Sequence, residues 1–306
     1  MNLGKKQARA KLTLGPLLYN WPAALRRDFY FRIADEAPVD SVCLGEVVCA
    51  KRAPFIDPDL PMLAERLAAG GKEVVYSTLA LVMDRRERLL VHELAQAPDL
   101  LIEANDLGAA HELAGRPHLI GPFVNVYNEA TLAWLMRRGA RRVSLPVELS
   151  SDCITALAAH VPEIELEVSV YGRLPLAISA RCYHARAYGL HKDGCRYVCG
   201  EDPDGLPVDT IDGFGFLAVN GLQTLSHGAV CLAHEIKPLL AAGISHFRLW
   251  PHSADMVGIA RIYRSLLDDG LEARQARQQI VRLTSFTPAV SGFIKSGPGA
   301  AAGEAE

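Results

Sequence analysis

The sequence predicts an α/β fold, a (β/α)8 TIM-barrel-like domain with a long cysteine-bearing insertion between its seventh and eighth strands. Three observations predict it. Eight short β-rich runs alternate with amphipathic segments along the chain. The runs are mostly apolar throughout, as parallel strands covered on both faces should be. The chain has 306 residues, half of them apolar, and α/β barrels form single units of about 250 residues.

The first run, Leu12–Leu18, leads into a helix over Pro22–Ala37 with apolar Ala24, Leu25, Phe29, Phe31 and Ile33. Ser41–Gly45 is followed by a helix over Leu60–Ala69, and Glu73–Leu79 by one over Arg85–Ala97. Leu100–Glu103 precedes Asp106–Ala114, which opens on an Asp in N-cap position. His118–Gly121 precedes Asn128–Arg138, which starts on Asn and stops before Gly139. Arg142–Leu145 is followed by Ser151–His160, which ends before Val161–Pro162. Glu165–Tyr171 and His246–Trp250 are the last two runs, and Ala254–Leu267 closes the series near Gly270. The domain is expected over 12–270, with the insertion at 172–240. Residues 1–11 and 296–306 are expected as flexible tails, the second because it is rich in Gly, Ala and Glu. No internal repeat is visible.

The chain has 32 basic and 35 acidic residues and a net charge of −3, which gives no electrostatic case for nucleic acid. Lys5, Lys6, Arg9 and Lys11 are followed by no apolar run that could serve as a signal peptide. No apolar stretch is long enough for a transmembrane helix. A cytoplasmic location is therefore expected, where thiols stay reduced.

Under those conditions the cysteines stand out. Three of the seven, Cys182, Cys195 and Cys199, fall in one short polar stretch rich in Gly and Asp that reads as a loop. Cys49 lies just past the second run, so all four can meet at the C-terminal mouth of the barrel, where barrel chemistry takes place. A loop has no packing use for clustered thiols. An odd cysteine count argues against a complete disulfide set, which leaves a metal: tetrahedral Zn²⁺ or an iron–sulfur cluster. The spacing leaves both open.

Other residues have a plain reading beside a functional one. Cys43, Cys153 and Cys231 sit in apolar or helical contexts, where a free Cys is commonly a small buried hydrophobe. His184 and His191 lie in the cysteine loop and read as loop residues. Arg181 and Arg196 adjoin proposed ligands and can offset their charge, or be solvated. Asn125 and Tyr127 follow the fifth run as pocket candidates, and Asn128 reads as a helix cap. Glu46, Glu103 and Glu148 end or follow strands and could do acid–base work. Glu148 could instead cap the next helix.

The segment from Glu167 to Cys182 resembles the signature E-x-F-x-H-G-A-L-C-x-x-Y-S-G-R-C of the collagenase-like peptidase-U family. Glu167, Gly172, Leu174, Ser179, Arg181 and Cys182 match, while Tyr171 replaces the His and Pro175 the first Cys. The UbiV-type subgroup departs in this way. It also resembles the chain at Leu44–Arg52, Ser77–Val82, Ile102–Gly108, Pro146–Ser150 and Asn220–Thr224. The resemblance implies a [4Fe–4S] cluster on Cys49, Cys182, Cys195 and Cys199. It implies a heterodimer with a UbiU-type paralogue and a sterol-carrier-like lipid-binding accessory protein. It further implies oxygen-independent hydroxylation of the ring of an isoprenoid quinone precursor in ubiquinone biosynthesis. Two rivals remain: a barrel hydrolase or peptidase with a structural zinc on the same cysteines, and a non-catalytic scaffold for the partner. No HExxH, GxSxG or Cys/His dyad supports a peptidase.

Overall fold

The computed structural model describes residues 9–284 and 287–295. Seven parallel strands follow one another: β1 (Lys11–Leu14), β2 (Ser41–Leu44), β3 (Glu73–Ser77), β4 (Leu101–Ala104), β5 (His118–Ile120), β6 (Ala140–Ser144) and β7 (Glu165–Ile178). After β8 (Leu206–Asp209), β9 (Gly215–Asn220) and β10 (Gln223–Cys231) comes β11 (His246–Leu249), which pairs parallel with both β1 and β7. That double pairing closes an eight-stranded parallel barrel and leaves no edge there.

Helices cover the outside: α1 (Ala23–Glu36), α2 (Ala53–Ile56), α3 (Leu60–Ala69), α4 (Arg85–Gln96), α5 (Leu107–Glu112), α6 (Glu129–Arg137) and α7 (Ser151–His160). Then follow α8 (Tyr183–Ala187), α9 (Ile236–Ala241), α10 (Met256–Leu267) and α11 (Ala273–Leu283). Their starts obey local chemistry. Asp84, Asp106 and Asn128 each accept hydrogen bonds from first-turn backbone N–H groups of α4, α5 and α6. Ser150 caps α7, so Glu148 does not take the capping role open to it from sequence.

The main core lies between strands and helices, with Leu12, Leu14, Val42 and Leu44 meeting Leu63, Leu67, Ile259 and Tyr263. Inside the barrel the contents are charged. Arg248 is almost fully buried; it donates to Glu167 Oε2 at 2.6 Å and also to Glu103, and Ser77 Oγ donates to Glu103 Oε1 at 2.9 Å. Cys43, Val75 and Leu119 form a small apolar cluster apart from the main core.

The insertion is more structured than the sequence suggests. β7 runs past Tyr171 to Ile178 and pairs antiparallel with β10, which pairs with β9, and β9 with β8. Only part of the segment is loop. The fold also reaches beyond 12–270: Lys11 opens β1, Arg9 pairs with Asp268 at 2.8 Å, and α11 and a short strand, β12 (Ala289–Val290), follow. β12 pairs with β10. Residues 1–8 and 296–306 of the expected tails lie outside the described residues. Among those described, no helix is long and apolar enough to cross a membrane.

Candidate metal centre at the barrel rim

The segment after β2 is folded by its own carboxylate. Gly45, with φ 110°, turns the chain out of the strand. Glu46 Oε1 then accepts from Val48 N at 2.7 Å and Cys49 N at 2.8 Å. A 3-10 turn over Ala50–Arg52 follows and carries Arg52 inward. Arg52 is 1% exposed. It donates to Leu18 O at 3.1 Å and Asn220 Oδ1 at 2.8 Å, and lies 3.9 Å from Glu46 Oε1. Asn220 in turn donates to Cys199 O and Asp202 O, both at 2.9 Å. Gln223 Nε2 reaches Leu18 O at 2.7 Å. One buried network thus ties the ends of β1, β2 and β9 to the loop that carries Cys199. Gly221, with φ 64°, leaves room for it: a Cβ there would strike the Arg52 guanidinium.

On the insertion side, Cys182 caps α8. Its Sγ accepts from Ala185 N at 3.4 Å and donates to Gly221 O at 3.2 Å. Lys51 Nζ crosses to Lys192 O at 2.7 Å and Asp193 O at 3.0 Å, holding the loop before Cys195 against the Cys49 segment. Cys49, Cys182, Cys195 and Cys199 all line one small cavity, together with Lys51, Arg52 and Lys192.

Burial holds the Cys49 and Cys182 thiols protonated, and nearby cations oppose it. Burial pushes the Cys49 thiol up to about 11, against the pull of Arg52, and burial likewise raises Cys182. Arg52 faces Cys49 and Cys199 with Glu46 as its nearby carboxylate. Four soft thiols at one cavity, with three cations on its wall, form a donor set suited to an iron–sulfur cluster or zinc. Binding either would displace the thiol protons. Among the described residues, no three His, Cys, Asp or Glu side chains are closed on one point as for a single ion. A cubane instead presents each of its irons to a different sulfur.

The remaining candidates fall into place around this site. Arg181 and Arg196 are both exposed, so the arginine buried at the thiols is Arg52. His184 is fully buried away from the cavity wall, 3.0 Å from Asp202 Oδ2 and stacked on Tyr188; it braces the loop. His191 is exposed. Cys43 and Cys231 are buried as expected, but Cys153 is exposed because α7 turns it to solvent. Glu103 belongs to the Arg248 pair inside the barrel. Asn128 caps α6, with its Oδ1 2.8 Å from Thr131 N. Asn125 and Glu148 line a separate cavity at the barrel mouth, and Tyr127 lies beside Glu148. Sequence reasoning missed Arg52 and Asn220 as parts of the site. Their signal was present: both lie in segments that carried the family resemblance, Leu44–Arg52 and Asn220–Thr224.

Comparisons with known proteins bear on this arrangement. Tens of residues match tRNA hydroxylation protein P of Haemophilus influenzae, at 45% identity over 58 residues; this is 19% of the present chain and 13% of that protein. The match therefore spans only a small part of its relative's length. Among solved structures, N-acetylneuraminate lyase from Fusobacterium nucleatum aligns over 90% of this chain and 82% of its own, with a TM-score of 0.48 and 7% identity. Phospho-2-dehydro-3-deoxyheptonate aldolase from Thermotoga maritima covers 94% of this chain and 72% of its own, with a TM-score of 0.42 and 11% identity. Likeness at that level carries no functional meaning. The model of Peptidase family U32 matches residues 30–301, nearly the whole chain, and the chain belongs to that family.

Proposed function

We propose that this chain is the iron–sulfur subunit of an oxygen-independent hydroxylase acting on the ubiquinone ring. The observation that carries the reading is the single cavity lined by Cys49, Cys182, Cys195 and Cys199 beside buried Arg52. Those four cysteines would hold a [4Fe–4S] cluster. When bound, such a cluster supplies one-electron steps. Arg52, Lys51 and Lys192 would offset its negative charge, and the Glu46 hydrogen bonds would fix the Cys49 segment against it. The cytoplasm is the proposed setting. A UbiU-type paralogue would complete a heterodimer, and a sterol-carrier-like lipid-binding protein would present the isoprenoid substrate.

The relative named for tRNA hydroxylation supports hydroxylation as the chemistry and favours a second reading, in which the ring belongs to a tRNA nucleoside. A net charge of −3 offers no general attraction for a phosphate backbone, so the quinone reading stands ahead.

Anaerobic purification, alone and with the partner, tests the cofactor. Iron and sulfide in equal amounts with broad visible absorbance are expected; a colourless protein with one zinc would replace this reading with the structural-zinc hydrolase. Cells lacking the chain, grown without oxygen, should lose ubiquinone and keep their tRNA modifications. The opposite pattern would assign the nucleoside. Cys182→Ala separates redox work from scaffolding: quinone synthesis should stop while the partner still binds. Loss of both would mark the chain as a scaffold.

A further inference from the structure

A second cavity, of about 220 Å³, opens at the C-terminal mouth of the barrel. Its walls are residues that follow β3, β5 and β6, closed by the outer half of β7. That volume has room for a single ring, since a cavity of about 150 Å³ can hold benzene. Leu81, Phe123 and Ile178 contribute apolar side chains to a lining whose exposed surface is mostly polar. Glu148 and Asn125 supply the polar edge, with Tyr127 close enough to Glu148 to feel its charge.

The back wall matters most. Ala80, Phe123 and Ile178 line this cavity and also pack in the apolar cluster that contains Cys182, with Cys49 and Cys195 at its edge. Backbone bonds brace that wall: Ala80 N donates to Val47 O at 2.9 Å, and Ser179 N to Leu222 O at 2.9 Å. The mouth cavity and the thiols therefore border the same apolar cluster.

We propose that the mouth cavity is the substrate-ring site, taking a phenol-type aromatic ring whose hydroxyl donates to Glu148. This assignment rests on the hydroxylase reading for its purpose and on geometry for its location. The Phe123 ring offers a flat aromatic ring a stacking partner. A carboxylate accepts hydrogen bonds and donates none, so it selects a ring that carries a hydroxyl over one that does not. A ring bound there would rest against the apolar cluster that also holds Cys182.

Calorimetric titration of the anaerobically purified full chain with geranylphenol and with geranylbenzene tests it. Geranylphenol should bind about tenfold tighter, the worth of one hydrogen bond to a charged group. Glu148→Leu should remove that preference and leave geranylbenzene binding unchanged. Leu81→Trp should fill the cavity and abolish binding of both compounds. Visible absorbance and iron content should stay at wild-type levels in both variants, and Cys182→Ala should lose absorbance yet keep the phenol preference. Equal binding of the two compounds, a preference that survives Glu148→Leu, or no binding at all would overturn the assignment. If the preference follows Glu148 in a protein that holds no iron, the cofactor reading fails and the ring site stands. If iron is present without the preference, the reverse holds.

Discussion

Two buried arginines show how differently the barrel interior and the barrel rim are built. Arg248, inside the barrel, sits between the carboxylates of Glu103 and Glu167, with its guanidinium 5.3 Å from the Trp250 ring centroid. Its charge is answered locally by ordinary side chains. Burial pushes Glu167 up, but Arg248 and Arg142 outweigh it and hold the carboxyl at about 2. Arg52, at the rim, has Glu46 at 3.9 Å, two neutral oxygens as hydrogen-bond acceptors, and cysteines for the rest of its surroundings. Lys51 and Lys192 add positive charge to the same wall. The interior is a closed structural triad; the rim is arranged around sulfur, which would become anionic if it held the proposed cluster. A buried cation kept beside thiols, where a hydrophobe would be cheaper, points to function at the rim rather than stability.

Substitutions can break this contrast. Arg248→Met leaves two carboxylates buried without their cation, and the loss should reach the upper end of about 3–5 kcal/mol in urea unfolding. Arg52→Met strands Glu46 and the Asn220 amide. It should cost about 3 kcal/mol, because two backbone N–H groups still hold Glu46, but it should also lower iron retention after anaerobic purification. A variant that loses stability and keeps all its iron would remove the distinction between the two sites.

Acid sharpens the comparison. Burial and then Arg142 lower His246 to about 4, and its folded value lies below its unfolded value near 6.5. The stability this neutral ring allows is complete above pH about 6.5 and is lost as pH falls towards 4. Thermal unfolding should therefore decline across that window by on the order of 2–3 kcal/mol. His246→Gln should flatten the decline, and an unchanged profile would show that another group controls it. Glu167 has a depressed value, so its share of stability persists to much lower pH and is lost only as pH falls through about 2. Gly221→Ala should cost about 1–2 kcal/mol from a left-handed backbone carrying a Cβ, and more from displacing the buried Arg52. Because that Cβ meets Arg52, the same substitution should loosen the Cys199 segment, seen as faster amide exchange around residues 199–202.

Much of the barrel was legible because its signals are local. Asp106 and Asn128 cap the helices they were expected to cap, and the apolar runs became the strands. The insertion was harder. β8 and the start of β9 are half exposed, so no continuous apolar run marks them, and they are paired only through contacts distant in sequence. Cys153 was misplaced for a related reason: helical context does not say which face meets solvent. The cysteines announced a rim site by their clustering and their place after strands, but nothing local linked Arg52 to Asn220 across the fold.

By itself the sequence determined which segments become strand and helix, and which thiols are available on the C-terminal side of the strands. These depend on residue type, period and capping chemistry, all of which act over a few neighbours. Tertiary structure decided that Arg52 rather than Arg181 or Arg196 is buried at the sulfurs, and that Glu103 serves Arg248 while Glu148 faces the mouth cavity. Barrel closure and the return of β10 along β7 set those choices, because charge is answered by whatever lies close in space, and distance in space is fixed only once the chain has packed.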